Sequence, residues 1–335
     1  MINVLITGGG GYLGSKITPL LLEHGYQVTI LDRFFFGKEV LGACVESNRC
    51  KLLEADTRWL SEDIFNGVDA ILDLAALSND PSAELDQNIT LDINFRARIR
   101  TATLAKKLGV KRYILASSCS VYGFRDDLIY EETTPSPIST YAKANLFAEH
   151  GIMPLSDNNF SVTALRQGTL YGLSPRMRFD VVLNAMALSI FKDKKVIVHS
   201  GEQWRPIVHV EDAARAFLTV LDAEPSKTNG KIFNVGSTEQ NFRICDLAAL
   251  VVKTIDIPTV TLRQDGPDVR SYRVSFEKIK ETLGYKTLKT PEYGAQEIYD
   301  ALRTGLVSDS LKTKTLEWYK KLLTEDPTIL SRVYK

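Results

Sequence analysis

The first residues along the chain whose types and spacing could do chemistry form a glycine-rich turn. Residues 7–14 read TGGGGYLG, in which Gly8, Gly11 and Gly14 have the spacing GxxGxxG. Because glycine has no Cβ, such a turn lets the backbone approach a pyrophosphate, and a following helix offers free N–H groups and a favourable dipole. This pattern, between a predicted strand and a predicted helix, favours a dinucleotide site over a purely structural turn. The expected contacts are Gly8, Gly11, Tyr12 and Leu13.

An acidic residue, Asp32, ends the next apolar run, eighteen residues after Gly14. A carboxylate there can accept hydrogen bonds from both ribose hydroxyls and would repel a 2′-phosphate, which favours NAD over NADP as the cofactor. Arg33 keeps NADP open, because a guanidinium beside the ribose could hold that phosphate. Asp56, after the third apolar run, either reaches the adenine edge or is an exposed turn residue.

The elements that must position these residues alternate in type. Apolar runs of strand length alternate with amphipathic segments, which indicates parallel βαβ units with helices on both faces of a sheet. The predicted strands are Ile2–Thr7, Gln27–Asp32, Lys51–Glu54, Ala70–Leu74, Arg112–Ala116 and Ser161–Leu165. The predicted helices are Gly11–His24, Leu85–Leu108 and Thr140–Leu155. The expected fold class is α/β, a Rossmann-type doubly wound parallel sheet with a smaller C-terminal α/β substrate-binding lobe.

The alternation changes after about Arg166. A helix is predicted near Asp180–Phe191, followed by short strands and helices without a regular order. We expect residues 1–166 to form an NAD-binding domain and residues 167–335 to form the substrate-binding lobe. The boundary is soft, because a strand near Lys231–Val235 is expected to return to the main sheet.

The composition excludes several classes of protein. The 335 residues carry 41 Lys+Arg and 41 Asp+Glu, so bulk charge gives no reason to expect nucleic acid or an acidic membrane as a partner. Four cysteines are too few for a disulfide framework, and neither they nor the four histidines have the spacing of a metal site. We find no signal-peptide pattern and no apolar run of about 18 residues, so a cytoplasmic location is expected.

Two later segments, together with the glycine turn, carry a family resemblance. Residues 117–123 read SSCSVYG at the end of a predicted strand, and residues 139–145 read STYAKAN at the start of a predicted helix. They resemble the SSxxVYG and YxxxK motifs of the extended short-chain dehydrogenase/reductase family, which acts on nucleotide sugars. Further similar positions are Ala75, Ala76, Asn94 and residues 205–212, 233–236 and 268–270. Residues 174–180, SPRMRFD, are similar to GDP-heptose 4-dehydrogenases within that family.

The resemblance implies an oxidation at C4 of a sugar. In the family, the serine matching Ser118 hydrogen-bonds the reacting hydroxyl, and the tyrosine matching Tyr141 exchanges its proton while C4 gives hydride to NAD. Hydride departs readily only when the alcohol proton is removed in concert, so a base must lie within hydrogen-bond reach. A phenol with a pKa of about 10 must be acidified for this task. The family uses a lysine four residues later, one turn along the same helix face.

Asn145 stands where the family has that lysine. Lys143 follows Tyr141 by only two residues, is rotated roughly 200° around the helix and is expected to point elsewhere. An amide can still bridge the ribose hydroxyls, but it supplies no charge to a tyrosinate. Three alternatives follow: a slower but competent enzyme, an enzyme with different proton chemistry, and a protein that binds the cofactor without turnover.

A diphosphate-linked sugar needs cationic, bidentate donors. The resemblance implies that Arg205 and Arg270 bind the diphosphate of the substrate. The family also implies that Ala75 and Ala76 lie at the cofactor. The complete set of expected substrate contacts is Ser78, Asn79, Ser120, Arg176, Arg178, Asn184, Arg205 and Arg270, and the expected catalytic residues are Ser118, Tyr141 and Asn145.

These residues favour an NAD-dependent nucleotide-sugar 4-epimerase. The alternatives are a net 4-dehydrogenase or 4-ketoreductase and a non-catalytic binding protein. The dehydratases of the family typically carry an acid pair where Cys119 and Ser120 stand, so water elimination lacks its catalysts here. In the family the long helices pair across a two-fold axis, so a homodimer is expected.

Overall fold

Strands and helices alternate through the first two thirds of the chain. A computed structural model describes residues 1–264 and 271–332. The strands are β1 (Asn3–Thr7), β2 (Gln27–Asp32), β3 (Cys50–Glu54), β4 (Ala70–Asp73), β5 (Arg112–Ser118), β6 (Leu128–Ile129), β7 (Ser161–Gln167), β8 (Thr169–Tyr171), β9 (Lys195–His199), β10 (Trp204–His209), β11 (Lys231–Val235), β12 (Asn241–Arg243), β13 (Val260–Gln264) and β14 (Arg273–Val274).

The α-helices pack on both faces of the main sheet and build the C-terminal part. They are α1 (Gly14–Glu23), α2 (Asp80–Ala83), α3 (Gln87–Leu91), α4 (Arg98–Lys107), α5 (Thr140–Ile152), α6 (Val182–Asp193), α7 (Val210–Asp222), α8 (Pro225–Thr228), α9 (Ile244–Ile255), α10 (Glu277–Leu283), α11 (Pro291–Arg303) and α12 (Thr315–Glu325). The π-helix Asp92–Ala97 joins α3 to α4, so the long helix predicted over this stretch is present but not uniform. Short 3-10 turns occupy Glu39–Glu46, Thr57–Trp59, Glu62–Phe65, Cys119–Tyr122, Met153–Leu155, Thr238–Gln240 and Leu311–Thr313.

Seven parallel strands form the central sheet, in the order β11-β7-β5-β4-β1-β2-β3. Strand β11 pairs with β7 in parallel and so returns to this sheet from the second half of the chain. Three small sheets, β12-β10-β8, β13-β9 and β14-β6, lie in the rest of the described chain. The main sheet confirms the α/β, doubly wound fold class. The division into two domains near Arg166 stays a prediction.

Side chains of the central strands enter two different cores, because successive residues of a strand point to opposite faces. Val4 and Ile6 of β1 pack in one core with Phe217 of α7. Leu5 packs on the other face with Ala102 of α4. A third core, whose buried members all lie between residues 171 and 302, holds the C-terminal part together.

Two strands extend beyond their predicted ends toward the site. Strand β5 runs to Ser118 and β7 runs to Gln167, and the two ends remain paired in register. The apolar pattern stops earlier, because the last residues of both strands are polar and partly face a cleft. The extension therefore places Ser118 and Gln167 side by side at the carboxyl edge of the sheet.

Candidate active site

A cleft of about 910 Å³ lies along the carboxyl edge of the main sheet. Strands β1, β2, β4, β5 and β7 end in its wall, and residues from the C-terminal half cover it from the other side. Open parallel sheets bind their ligands in a crevice at this edge. Almost all the residues predicted for the site line this cleft. The predicted residues in its wall are Gly8, Gly11, Tyr12, Leu13, Asp32, Arg33, Asp56, Ala75, Ala76, Ser78, Asn79, Ser118, Ser120, Tyr141, Arg176, Arg178 and Arg205.

The glycine-rich turn depends on two positions that exclude a Cβ. Gly8 has a φ of +72°, and a Cβ there would lie 2.7 Å from the backbone nitrogen of Ala75. A Cβ on Gly14 would lie 2.6 Å from the Cα of Gly9. Helix α1 begins at Gly14 and points its N-terminus at the cleft. This turn can therefore place backbone N–H groups against a pyrophosphate.

The Asp32 carboxylate is oriented by two backbone N–H groups at the end of β2. Gly10 donates a hydrogen bond of 2.9 Å to Oδ2, and Phe34 donates one of 2.7 Å to Oδ1. Burial raises the pKa of Asp32, and these two hydrogen bonds act in the opposite direction. The carboxylate lies in the cleft wall and is positioned to accept hydrogen bonds from a ribose.

Arg33 is turned toward Asp56. Its Nη1 lies 3.2 Å from Asp56 Oδ2, and its guanidinium stacks 4.5 Å from the centre of the Phe35 ring. Arg58 donates to the same carboxylate from its backbone N, Nε and Nη2. Burial raises the pKa of Asp56, but the Arg58 contacts outweigh it and the net shift is downward. Asp56 therefore anchors two arginines at this end of the cleft, which reduces its capacity to bind an adenine.

Tyr141 and Ser118 meet where α5 begins and β5 ends. Ser139 caps α5 by accepting a hydrogen bond from the Ala142 N–H. Burial raises the pKa of the Tyr141 phenol, whereas the charge of Arg98 and a hydrogen bond with Ser118 lower it. The pair can thus hold a hydroxyl of a ligand between two oxygen atoms. Such a pair is suited to proton exchange with an alcohol.

Asn145 lies behind the cleft wall rather than in it, and its role toward the ribose hydroxyls stays a prediction. Its Oδ1 accepts a hydrogen bond of 3.0 Å from Arg98 Nη1, and its Nδ2 donates one of 3.0 Å to the Tyr141 carbonyl. The residue is 1% exposed, so both ends of the amide are occupied inside the protein. Lys143 is exposed on the outer side of α5, as the helical spacing predicts.

Two of the predicted substrate arginines are held by neighbours within the cleft wall. Arg178 binds Asp180 through Nε at 2.9 Å and Nη2 at 3.1 Å, which gives a bidentate ion pair. Arg205 donates from Nη1 to the Trp204 carbonyl and lies 5.6 Å from the centre of the Tyr272 ring. Arg270, a further predicted one, lies outside the described residues.

Arg176 is a buried cation with incomplete hydrogen bonding. It is 4% exposed, packs 3.7 Å from the Phe36 ring centre and donates from Nη2 to Thr315 Oγ1. Its Nε and Nη1 have no hydrogen-bond partner among the described residues. Burial and the neighbouring Arg178 lower the pKa of Arg176 to about 10. A buried cation with unused donors fits an anionic ligand, since charged groups rarely remain buried without a partner.

Asn184 is fully buried and is not part of the cleft wall, and its assignment as a substrate contact stays a prediction. Its Nδ2 donates to the Tyr12 hydroxyl at 3.0 Å and to the Arg178 carbonyl at 2.8 Å. Its Oδ1 accepts from the Gly172 N–H at 3.0 Å. Asn184 therefore fastens the arginine-bearing loop to the glycine turn.

Two unpaired polar atoms mark the inner wall of the cleft. Ser120 Oγ and Gln167 Oε1 are buried and have no hydrogen-bond partner within the described part of the chain. Asn79 is better held, because its Nδ2 donates to Asp180 at 2.9 Å and its Oδ1 caps α2. Unpaired buried polar atoms in a cleft indicate groups that a ligand satisfies.

Several residues of the wall were not predicted from the sequence. Gln167 ends β7, and the carboxyl end of a parallel strand was the available signal. Tyr319 lies in α12, far along the chain, where nothing in the sequence pointed to the site. The unpredicted wall residues of most interest are Phe35, Phe36, Arg98, Gln167, Thr169, Gln203, Tyr272 and Tyr319.

Cys119 lies beside these residues, but its surroundings make the thiol unreactive. It is fully buried, and its Sγ donates to the Arg166 carbonyl. Burial raises the pKa of the thiol far above its ordinary value. The thiol therefore packs as a small apolar group.

The described residues were compared with the requirements of a metal site and of a membrane span. Within residues 1–264 and 271–332, no group of His, Cys, Asp and Glu side chains could hold a metal ion. Across the same ranges, no helix has the length and apolar character needed to cross a bilayer. The cytoplasmic location stays a prediction.

Comparison with known proteins agrees with this geometry. UDP-glucuronic acid decarboxylase 1 of Xenopus tropicalis is 26% identical over 319 residues, which cover 91% of this chain and 73% of that protein. UDP-N-acetyl-alpha-D-glucosaminuronate decarboxylase of Bacillus cytotoxicus is 28% identical over 316 residues, with coverage of 88% and 95%. The crystal structure of UDP-glucuronic acid 4-epimerase from Bacillus cereus, in complex with UDP-glucuronic acid and NAD, superimposes with a TM-score of 0.81 at 20% identity, covering 90% of this chain and 99% of that one.

The match to a family model covers most of the sheet and the whole glycine turn. Residues 4–236 fit the model described as the NAD dependent epimerase/dehydratase family. This match includes the Ser118, Tyr141 and Asn145 positions and confirms the resemblance drawn from the motifs. The chain belongs to the NAD dependent epimerase/dehydratase family.

Proposed function

We propose that this protein is an NAD-dependent enzyme that oxidises a nucleotide-diphosphate sugar at C4 and reduces the same carbon again, as a nucleotide-sugar 4-epimerase. The observation that carries the proposal is the Ser118–Tyr141 pair, which lies in one continuous cleft with the glycine-rich turn. A redox cofactor and a proton-exchanging pair in one crevice are the two parts that an alcohol oxidation requires.

The cleft residues fit NAD at its sheet end. The turn through Gly8 and Gly11 can receive the pyrophosphate, and the oriented Asp32 carboxylate can receive the adenosine ribose. Arg33 is paired with Asp56, which favours a ribose without a 2′-phosphate. When bound, NAD supplies a site that accepts a hydride and gives it back.

The residues of the chain handle the proton. Ser118 holds the C4 hydroxyl of the sugar, and Tyr141 takes the hydroxyl proton as the C4–H bond breaks. The 4-keto sugar then rotates in the pocket so that its opposite face is presented. Tyr141 returns the proton when C4 is reduced from that face. No atom is gained or lost, so the reaction inverts only the configuration at C4.

The second half of the chain would hold the substrate. Arg205 lies in the cleft wall and is the proposed contact for the nucleotide diphosphate. Ser120 and Gln167 offer unpaired oxygen atoms to the sugar hydroxyls. Arg176 lies close to Phe36 and Thr315, at the cofactor end, so its unused donors are proposed for a phosphate there.

A second outcome is favoured by the names of the curated relatives, since two of them are decarboxylases of UDP-linked uronic acids. Oxidation at C4 of such a sugar places a ketone β to the carboxylate, and this arrangement releases carbon dioxide readily. Ser118 and Tyr141 would act in the same first step. A net 4-dehydrogenase or 4-ketoreductase would also use this pair but would consume external NAD or NADH.

The experiment is a product assay on a panel of nucleotide sugars without added cofactor. Mass spectrometry of the small molecules released from the purified protein first reports NAD and any retained sugar nucleotide. A product of unchanged mass and inverted C4 supports the epimerase, whereas a loss of carbon dioxide supports the decarboxylase. Strict dependence on external NAD supports net oxidation, and no conversion with tight binding supports a binding protein.

We also propose a homodimer formed by the outer faces of the two long helical stretches. Phe147 of α5 is 41% exposed and contacts Phe95 of the π-helix, with ring centres 5.4 Å apart. A partly exposed aromatic pair on two adjacent helices suits a self-complementary interface. Light scattering should give twice the chain mass, and Phe147→Glu should give the monomer mass.

A further inference from the structure

A buried arginine occupies the wall of the cleft beside the tyrosine, at a position that no family motif covers. Arg98 is the first residue of α4 and directly follows the π-helix Asp92–Ala97. A π turn holds one more residue than an α turn, and such segments often occur at functional sites. Arg98 is 2% exposed and lines the cleft.

Three hydrogen bonds fix the Arg98 guanidinium. Its Nε donates to the Ala75 carbonyl at 3.2 Å, and its Nη1 donates to the Ala116 carbonyl at 3.0 Å. Nη1 also donates to Asn145 Oδ1 at 3.0 Å. The group is therefore held between the ends of β4 and β5 and helix α5, where it lines the cleft.

One carboxylate lies near this cation but is already engaged. Asp73 Oδ2 is 3.6 Å from Arg98 Nε. The same carboxylate accepts hydrogen bonds from Thr7 at 2.7 Å and from the Tyr113 hydroxyl at 2.6 Å. Asp73 thus balances the buried charge from the side of the sheet, and the other side of the guanidinium faces the cleft.

We propose that Arg98, held by Asn145, supplies the positive charge that the lysine of the YxxxK motif supplies in the family, and that it positions Tyr141 for proton exchange. The proposal rests on the proposed function, because only a proton-exchanging tyrosine needs such a charge. The cation is then provided by a neighbouring helix instead of by the helix that carries the tyrosine. Arg98 is a positioning residue, since it acts on the reaction through Tyr141.

The charged groups that face the phenol support this assignment. Burial raises the pKa of Tyr141, Arg98 lowers it, and Asp80 of α2 raises it. Arg178 also interacts with the phenol, but its guanidinium is bound to Asp180 by two hydrogen bonds. Arg98, by contrast, has a single longer contact of 3.6 Å with the carboxylate of Asp73.

The same arrangement explains the asparagine at position 145. A lysine there would place a second cation against the guanidinium in a buried site, and two like charges repel strongly where water is excluded. Asparagine instead offers an acceptor to Arg98 and a donor to the Tyr141 carbonyl. Residues 98 and 145 therefore form one unit, in which either residue could carry the charge but not both.

The test measures the titration of the Tyr141 phenol in the full chain, without substrate. The ultraviolet absorbance of tyrosinate is recorded for each protein and for the same protein carrying Tyr141→Phe, and the difference isolates this one phenol. Arg98→Gln removes the charge and keeps an amide donor for the carbonyls, so it also serves where Arg98→Met does not fold. The matched control is Arg96→Gln, an exposed arginine two residues earlier that pairs with Asp92.

We expect Arg98→Gln to move the midpoint upward by about one pH unit or more, a tenfold smaller tyrosinate fraction at a given pH. The double variant Arg98→Gln with Asn145→Lys should return the midpoint toward the wild type, and Arg96→Gln should leave it in place. An unmoved midpoint in Arg98→Gln overturns the proposal. A failure of the double variant to restore it overturns the view that the two positions form one unit.

A second readout separates this proposal from the proposed function. If a nucleotide sugar is converted, the rising limb of the kcat profile against pH should move by the same amount in Arg98→Gln, with little change in KM. If no nucleotide sugar is converted, the proposed function fails, while the titration still reports whether Arg98 supplies charge to Tyr141.

Discussion

The two ends of the cleft are built by different means. At the cofactor end, backbone groups shape the site. Gly8 and Gly14 leave no room for a Cβ, and Asp32 is oriented by backbone N–H groups. At the catalytic end, charged side chains from distant elements converge, with Arg98 and Asn145 meeting across 47 residues of sequence. The first end is therefore built from backbone groups and the second from side chains.

This difference determines which changes each end can accept. A turn that excludes a Cβ accepts no larger residue, because the neighbouring backbone cannot move away. A buried charge can be supplied from any element that reaches the same place, as long as its donors are satisfied. In the proposed arrangement, Asn145 replaces the lysine of the family and Arg98, from another helix, supplies the charge instead.

The largest effect at the catalytic end is expected from Tyr141→Phe, which tests the assignment of Tyr141 as the proton-exchanging group. Removing the hydroxyl eliminates proton exchange with the sugar, which should lower kcat by about 10²–10⁴-fold, the usual contribution of a general base. NAD content should remain, because the ring still fills its place. The measurement is single-turnover formation of the product, with the released NAD quantified in parallel. Tyr130→Phe, at a tyrosine that is 50% exposed, is the matched control, and equal rates in both variants would contradict the assignment.

The strongest challenge to the cofactor end is Gly8→Ala. The added Cβ meets the Ala75 backbone at 2.7 Å in a turn with positive φ, so we expect a loss of stability of about 2–4 kcal/mol and loss of bound NAD. Gly25→Ala is the control, since Gly25 also has a positive φ but no atom lies within 4 Å of its Cβ position. Urea unfolding and NAD content are measured for both. Similar losses in the two variants would show that backbone strain, and not the close approach, determines the turn.

The same contrast explains what could be predicted from the sequence. Strands β2 and β11 have the predicted bounds, because apolar runs between turn residues define them directly. The glycine turn, Asp32, Ser118 and Tyr141 were assigned from short motifs, and all lie in the cleft wall. Each of these residues is placed by the end of its own element, so that local sequence is sufficient.

The residues whose contacts could not be derived from the sequence are placed by tertiary contacts. Asn184 was assigned to the ligand, but it bonds Tyr12 and Gly172 inside the protein. Arg98 follows a π-helix that no period of apolar residues reveals, since its neighbours Arg96 and Arg100 are exposed arginines of the same type. Only the packed structure shows which of several similar arginines enters the cleft.

Two neighbouring arginines of the loop sharpen the comparison, because Arg178 forms a bidentate pair with Asp180, whereas two nitrogen atoms of Arg176 have no hydrogen-bond partner among the described residues. Arg176→Met removes unused donors, so we expect affinity for a diphosphate ligand to fall by about 10–100-fold with little loss of stability. Arg178→Met removes the partner of Asp180 and should lower the stability of the ligand-free protein instead. Calorimetric titration with NAD and with UDP, together with thermal unfolding, distinguishes the two. If Arg176→Met left both ligands bound as before, the proposed phosphate contact would be wrong.

The Arg178–Asp180 pair also predicts a dependence of stability on pH. Burial raises the pKa of Asp180, but the charge and hydrogen bonds of Arg178 outweigh it and lower the pKa to about 2. Because this folded-state pKa lies below the unfolded value of about 3.9, the pair stabilises the protein above about pH 4 and loses that contribution as the pH falls toward 2. The contribution is on the order of 2 kcal/mol.

In Arg178→Met, the ionisation of Asp180 should destabilise the protein instead of stabilising it. A carboxylate that is buried without its cation has a raised pKa, so the variant is least stable near neutral pH and recovers relative to the wild type as Asp180 becomes protonated. The difference in unfolding free energy between the two proteins should therefore shrink between about pH 6 and pH 3. Urea unfolding at several pH values measures it. A constant difference across that range would mean that the arginine acts by packing alone, and the catalytic end would then depend on charge less than its geometry indicates.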